Sequence, residues 1–118
     1  LTGTKDSSPI DTQGPEARQL PFEHCPQPDQ ILIVFEDGDH AVFAASPNLD
    51  ENRRKLLNRL RPSTNYGTIQ PIVMETTLRF WNCWLRDNSG AKDWLNKDLT
   101  ARVGSAGTVK YKPAKSGN

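Results

Sequence analysis

Long apolar runs are missing from this sequence. Apolar residues make up 35% of the 118 residues, and the mean hydropathy is −0.69. No uninterrupted apolar run, such as Ile31–Phe35, is longer than five residues, whereas a membrane-spanning helix needs about 20 such residues. We therefore predict that the chain contains no transmembrane segment.

The ligands and motifs of common active sites are also scarce. The only histidines, His24 and His40, are far apart in the sequence, whereas a zinc site needs three or four convergent ligands. The acidic segment "EDGDH" at 36–40 lacks the ligand spacing of a calcium loop. Gly-rich phosphate loops and the HExxH and GxSxG motifs are absent. Cys83 stands between Trp81 and Trp84, a setting that does not activate a thiol. We predict no metal, no cofactor and no enzymatic activity.

Charge of one sign is not in excess. The chain has 15 Lys and Arg residues against 14 Asp and Glu residues, so no overall field would steer nucleic acid towards it. Basic residues do cluster in the segment 48–61 and at Lys110, Lys112 and Lys115. An alternative function is therefore that of a small intracellular nucleic-acid-binding protein that uses the segment 48–61, which we predict to be a basic helix, and the Lys-rich tail.

Cysteine is limited to Cys25 and Cys83, which allow one disulfide. Such a bridge would anchor residues 1–30, which hold five of the nine prolines and little apolar periodicity. The alternative is two reduced thiols, with Cys83 buried. We interpret residues 1–30 as a flexible Pro-rich arm, 31–112 as a single small α+β domain, and 113–118 as a disordered tail.

The most legible stretch, "ILIVFEDGDHAVFAA" at 31–45, favours a β-hairpin. Asp37-Gly38 is a strong two-residue turn signal between two apolar runs. Apolar residues occupy both faces, with Ile31, Ile33 and Phe35 on one and Leu32 and Val34 on the other. The hairpin should therefore be central and covered on two sides. Its acidic tip should have a cation nearby, such as Arg53 or a lysine.

Helical patterns follow the hairpin. Leucines at helical spacing and a basic flank predict an amphipathic helix over 48–61, with Arg53 in its leucine stripe. The segment 71–87 favours a helix, although a strand remains open. The segment 91–104 fits a second helix that ends at Gly104, or its end "LTARV" could pair with "TVKYK". The predicted fold class is α+β: a central β-hairpin packed by one or two helices, with a disordered Pro-rich N-terminal arm.

The Trp-rich segment is the candidate partner-binding site. As a helix it aligns Trp81 with Met74, Leu78 and Leu85, which we assign to the core. Tryptophan and arginine are enriched in interface hot spots, so we predict a binding surface centred on Trp84 and Arg79, with Phe80 and Arg86 beside them. The alternative is that both tryptophans are buried.

These features favour a non-enzymatic protein–protein interaction module whose partner is not identified by the sequence. The first residues, Leu1-Thr2-Gly3, resemble the end of a bacterial lipoprotein signal, although Thr4 stands where the lipidated cysteine would follow. This resemblance suggests an envelope-tethered component of a larger bacterial assembly. A periplasmic or extracytoplasmic location is therefore expected, with a cytoplasmic location as the alternative.

Overall fold

The computed structural model describes residues 1–7, 10, 12–44 and 66–112. Three strands are described: β1 (Thr2–Lys5), β2 (Gln30–Asp39) and β3 (Gly107–Lys112). The α-helices are α1 (Leu20–His24), α2 (His40–Ala44), α3 (Tyr66–Arg86), α4 (Ser89–Asp93) and α5 (Leu99–Val103). Short 3₁₀ segments cover Pro15–Arg18 and Gly104–Ala106, and a π-helical turn, Trp94–Asp98, joins α4 to α5. The predicted α+β class is confirmed.

Strand β2 is the centre of a three-stranded sheet of order β1-β2-β3. It pairs in parallel with β1, with Thr2 opposite Val34, and antiparallel with β3, with Gln30 opposite Lys112. Both faces of β2 are buried: Ile33 and Phe35 are 1% and 0% exposed on one face, and Leu32 and Val34 are 5% and 9% exposed on the other. The predicted central position of this apolar segment is confirmed.

The predicted β-hairpin is wrong. Asp37 and Gly38 lie inside β2, and the chain then enters α2 instead of returning as a strand. Asp37 has φ of 57°, the left-handed conformation that its sequence signal favours. Here this conformation forms part of a β-bulge in β2. A step of two residues along β1, from Gly3 to Lys5, matches a step of four along β2, from Phe35 to Asp39.

The "EDGDH" segment therefore ends a strand and begins a helix. The Asp39 carboxylate accepts a hydrogen bond of 3.0 Å from the backbone N–H of Val42, as a helix N-cap does. Lys5 supplies the cation that was expected near these acids, because its Nζ lies 2.7 Å from an Asp37 oxygen. This hydrogen-bonded contact raises the pKa of Lys5 above its ordinary value.

The helices of the C-terminal half cover one face of the sheet. Helix α3 confirms the helical prediction for 71–87, and the chain from Ser89 to Val103 confirms the second helix. Gly104 ends this helix with φ of 50°, a conformation that favours glycine. The buried core joins both strand and helix residues: Ile33, Phe35, Val42, Ile69, Ile72, Cys83, Ala91, Leu95, Leu99 and Val103. Strand β3 forms from "GTVKYK", but it pairs with β2 and not with "LTARV".

The N-terminal segment is anchored without a disulfide. Its first residues form β1, which differs from the flexible arm that the sequence predicts. Asp6, only 5% exposed, accepts a hydrogen bond from the Thr2 hydroxyl at 3.0 Å and contacts His40 Nδ1 at 3.0 Å. Further along, the Lys112 ammonium donates to the carbonyls of Phe22, Glu23 and Cys25 at the end of α1. A cation is stabilising at this negative end of a helix.

Cys25 and Cys83 are both free thiols, so the predicted disulfide is not formed. The strand pairing of β1, the Asp6 contacts and Lys112 supply the anchoring for which the disulfide was invoked. The predicted helix over 48–61, including Arg53, lies outside the described residues, as do the 113–118 tail and Lys115. The division into arm, domain and tail stays a prediction.

Across the described residues, no helix is long and apolar enough to cross a membrane.

Candidate functional site

Helix α3 has two apolar faces. Side chains rotate by about 100° per residue around an α-helix, so Ile69, Ile72, Thr76 and Cys83 share one face. All four are buried, against the sheet and the following helices. The opposite face carries Met74, Leu78, Trp81 and Leu85, which we call the outer stripe.

The outer stripe is exposed. Its side chains Met74, Leu78, Trp81 and Leu85 are 67%, 61%, 51% and 74% exposed, respectively. Their predicted place in the core is therefore wrong. The helical period correctly groups these four residues. However, a second group at the same period, built from smaller side chains, is the one that packs on the sheet.

Aromatic rings border one side of the outer stripe. The Phe80 ring meets the Trp81 ring edge-on at a centroid distance of 5.3 Å and lies 6.3 Å from the Trp84 ring. Phe80 is 36% exposed and Trp84 is 49% exposed, so the alternative in which both tryptophans are buried is also wrong. These contacts fix the relative orientation of the three aromatic rings.

The other side of the stripe carries charge, and we call it the charged flank: Glu75, Arg79 and Arg86. Arg79 lies with its guanidinium carbon 5.2 Å from the centroid of the Trp94 ring and 3.8 Å (Nη2) from Glu75 Oε1. Glu75 also accepts a hydrogen bond of 2.7 Å from Arg102 Nε on α5. Arg86 is exposed at the end of the helix. Arg79 is thus oriented by groups of its own chain.

The predicted binding residues do not form one cluster. Trp84 and Arg79 lie on opposite sides of the outer stripe, about 220° apart around the helix when measured across the stripe. Phe80 lies beside Trp84, and Arg86 lies beside Arg79. The sequence missed Met74, Leu78 and Leu85 as surface residues, although their spacing was visible, because exposure depends on which of two apolar faces meets the sheet.

Two recesses lie next to the aromatic rings. One of about 250 Å³ is lined by Trp81, Phe80, Thr76 and β2 residues Ile31 and Ile33, among others. The other, of about 240 Å³, has Trp84 and Cys83 at its edge with Lys92 and Tyr111. Both are smaller than typical small-molecule pockets of about 300–1,000 Å³. Each is large enough to hold a single side chain.

The contacts around Asp6 join an acid, a histidine and a hydroxyl, the three kinds of group found in many catalytic sites. The Thr2 hydroxyl donates a hydrogen bond to the Asp6 carboxylate, and residue Thr2 is only 2% exposed. Asp6 lies between Thr2 and His40, so this arrangement does not place a base against a nucleophile. Among the described residues, no group of three or more His, Cys, Asp and Glu side chains could hold a metal ion.

Two of the lysines predicted to contact nucleic acid, Lys110 and Lys112, lie in the described part of the chain. Lys112 is engaged with the carbonyls at the end of α1 and lies 4.7 Å from the centroid of the Phe22 ring. Lys110 is exposed on β3. Within the described part of the chain, these two lysines therefore do not form a basic cluster that would support nucleic-acid binding.

Cys25 should be much more reactive than Cys83. The backbone N–H of Gln27, with help from the Gln30 side chain, holds the pKa of the Cys25 thiol below its ordinary value, whereas Cys83 is buried. We expect iodoacetamide to label one thiol rapidly under native conditions without reductant, and the second only after denaturation. The alkylation rate of Cys25 should rise with pH as the thiol ionises, and the midpoint of this rise should lie at a lower pH in the native chain than in the denatured chain. Intact mass and peptide mapping measure both effects, and an unlabelled native chain would indicate a disulfide.

Comparisons with protein-family models, curated proteins and solved structures gave no significant match to this chain.

Proposed function

We propose that this protein is a non-enzymatic protein–protein interaction module and that the outer stripe of α3 is its docking surface. The observation that carries the proposal is the alignment of four large apolar side chains, each more than half exposed, opposite the face of α3 that forms the core. Isolated exposed apolar residues are normal, but a contiguous apolar patch marks an interaction site.

The size of the patch supports this proposal. It consists of the outer stripe with Phe80 and Trp84, six side chains that are 36% to 74% exposed. With about 200 Å² for each side chain, the exposed area is on the order of 700 Å². A standard interface buries about 800 Å² on each partner. The patch is therefore large enough to form most of a stable interface.

The composition of the patch also resembles that of an interface. Aromatic and Met side chains occupy its centre, and the polar charged flank borders it, as in known interfaces. Trp81 and Leu78 take the central position that the sequence assigned to Trp84 and Arg79. Phe80 and Trp84 form one border, and Arg79 and Arg86 form the other.

A tether to a bacterial envelope remains a separate proposal that rests on Leu1-Thr2-Gly3. In the structure, Gly3 has a folding role, because it packs directly against the backbone of Gly38. This role explains the glycine without a lipoprotein signal. The coding sequence of the gene tests the tether: a signal peptide followed by a cysteine codon at position four would support it.

Site-specific photocrosslinking tests the docking surface. A benzoylphenylalanine replacing Leu78 should crosslink to a protein in the native cells, and the same group at Ala101, which is exposed on α5, should not. Adding Leu85→Asp to the Leu78 probe should remove the crosslink, because a charge in the stripe must be desolvated on docking. Adding Ala101→Asp should leave it intact.

Equal crosslinking from both probe positions would contradict the proposal, as would a crosslink that persists with Leu85→Asp. Melting curves of the purified variants accompany the experiment. Because Leu85 is 74% exposed, Leu85→Asp should unfold near the wild-type temperature, and the loss of the crosslink can then be assigned to docking.

A further inference from the structure

The spacing of the outer stripe specifies a helix as the docking element. Met74, Leu78, Trp81 and Leu85 follow one another in steps of four, three and four residues. This is the spacing by which one helix packs along another in a coiled-coil seam. The stripe extends over 12 residues from Met74 to Leu85, so a helix of about three turns would cover it.

We propose that the helix docked on the outer stripe is α3 of a second copy of this chain, packed antiparallel across a two-fold axis. This inference rests on the proposed function, since it names the partner of the same surface. In the antiparallel register that superposes the two stripes, Leu78 faces Trp81 of the second copy, and Met74 faces Leu85. Each large ring is thus matched by a smaller side chain, and no charge lies in the seam.

The charged flank supports this particular arrangement. In an antiparallel pair with two-fold symmetry, the same flank of each helix meets its own copy. Glu75 then lies about 3 Å along the axis from Arg86 of the second copy, given a rise of 1.5 Å per residue. The symmetry repeats the contact, so the dimer gains two ion pairs. In a parallel pair Glu75 and Arg86 would remain far apart.

The remaining groups near the seam do not oppose the pairing. Arg79 lies close to the two-fold axis along the helix, but its guanidinium faces the Trp94 ring of its own chain. Glu75 contacts Arg102 through Oε2 and Arg79 through Oε1, the latter only at 3.8 Å. The opposite flank presents Thr77 and Trp84, which are uncharged and exposed. The area of the patch is close to what each copy must contribute to a stable dimer.

Sedimentation of the purified chain over a range of concentrations tests self-association. We expect a monomer–dimer equilibrium for the wild type and a monomer for Leu78→Asp. Glu75→Arg alone and Arg86→Glu alone should each weaken the dimer by roughly tenfold, because two attractive contacts become repulsive. A mixture of the two single variants should associate as heterodimers, since both contacts are then attractive. The double variant Glu75→Arg/Arg86→Glu should recover the wild-type dimer.

The control is Arg102→Gln, which removes the internal partner of Glu75 without adding charge to the flank, and it should leave the dimer intact. A wild-type monomer at every soluble concentration would overturn the dimer, while a Leu78 crosslink to a different protein would keep the proposed function. If the single variants Glu75→Arg and Arg86→Glu dimerise as tightly as the wild type, the antiparallel arrangement is overturned. A monomer that Leu78→Asp unfolds would place the stripe against its own chain and overturn both proposals.

Discussion

Replacing Gly3 by alanine should destabilise the fold by about 3 kcal/mol or more. A Cβ atom at Gly3 would lie 2.0 Å from the carbonyl oxygen of Gly38 and 2.6 Å from its Cα. Both neighbours belong to the backbone of β2, so no side chain can move aside. The strand β1 would have to separate from β2 at the bulge. Chemical denaturation of Gly3→Ala against wild type measures the change.

Gly67→Ala is the matched control, because the same methyl group there meets nothing within 4 Å. Gly67 lies near the start of α3, where alanine is the better helix former by roughly 0.5–1 kcal/mol. The control should therefore be neutral or stabilising. If Gly3→Ala instead unfolds like the wild type, β1 does not pair with β2 in the position described.

The effect of Gly3→Ala should extend beyond β1. Separation of the strand would remove Thr2 from its hydrogen bond with Asp6 and disturb the contact of Asp6 with His40. A buried carboxylate that loses its partners carries a desolvation cost. The N-terminal segment is thus expected to become sensitive to proteases in Gly3→Ala, and limited proteolysis with N-terminal sequencing would show cleavage within the first residues.

The sequence predicted the fold class and the two helical segments after residue 66 because these follow from local patterns. The apolar periods of α3 and of the 89–103 helix, and the stop at Gly104, are properties of neighbouring residues. The burial of β2 on both faces could also be predicted, because residues 31–35 are all apolar and do not alternate with polar residues. The predictions that failed depend on contacts between distant segments.

Asp37-Gly38 illustrates this difference. The dipeptide signals a backbone that leaves the ordinary β region, and Asp37 does so. Whether that produces a hairpin or a bulge depends on which strand lies beside it. Here the neighbour is β1, whose Gly3 permits the close approach to Gly38. A parallel partner 34 positions upstream leaves no signal in the local sequence.

The anchoring of the N-terminal segment was missed for the same reason. Its proline content and weak periodicity indicated a flexible arm, and Cys25 was the only evident anchor. The structure holds it through Asp6, through the Lys112 contacts at the end of α1 and through the ladder of β1. The contact of Asp6 with His40, the Lys112 contacts and the pairing of β1 with β2 join residues far apart in the sequence, which composition does not reveal.

Ile72→Ala and Leu78→Ala should have very different effects on stability, although both shorten a branched aliphatic side chain in α3. Ile72 is 1% exposed in the core, so its truncation should cost about 2–5 kcal/mol. Leu78 is 61% exposed, and its truncation should change the free energy of unfolding by at most about 0.5 kcal/mol. Alanine improves helix propensity more when it replaces the β-branched Ile72 than when it replaces Leu78, so propensity opposes the expected difference and cannot produce it. The pair therefore separates the core face from the outer stripe.

The measurement needs a protein concentration at which the chain is monomeric, because association stabilises the folded state by mass action. At higher concentrations the wild type should gain stability through the outer stripe, and Leu78→Ala should lose most of that gain. Ile72→Ala should keep the concentration dependence at a lower absolute stability. If Leu78→Ala in the monomer is as costly as Ile72→Ala, then the stripe is packed within its own chain. The helix would then have two core faces, and the docking surface would have to be sought elsewhere.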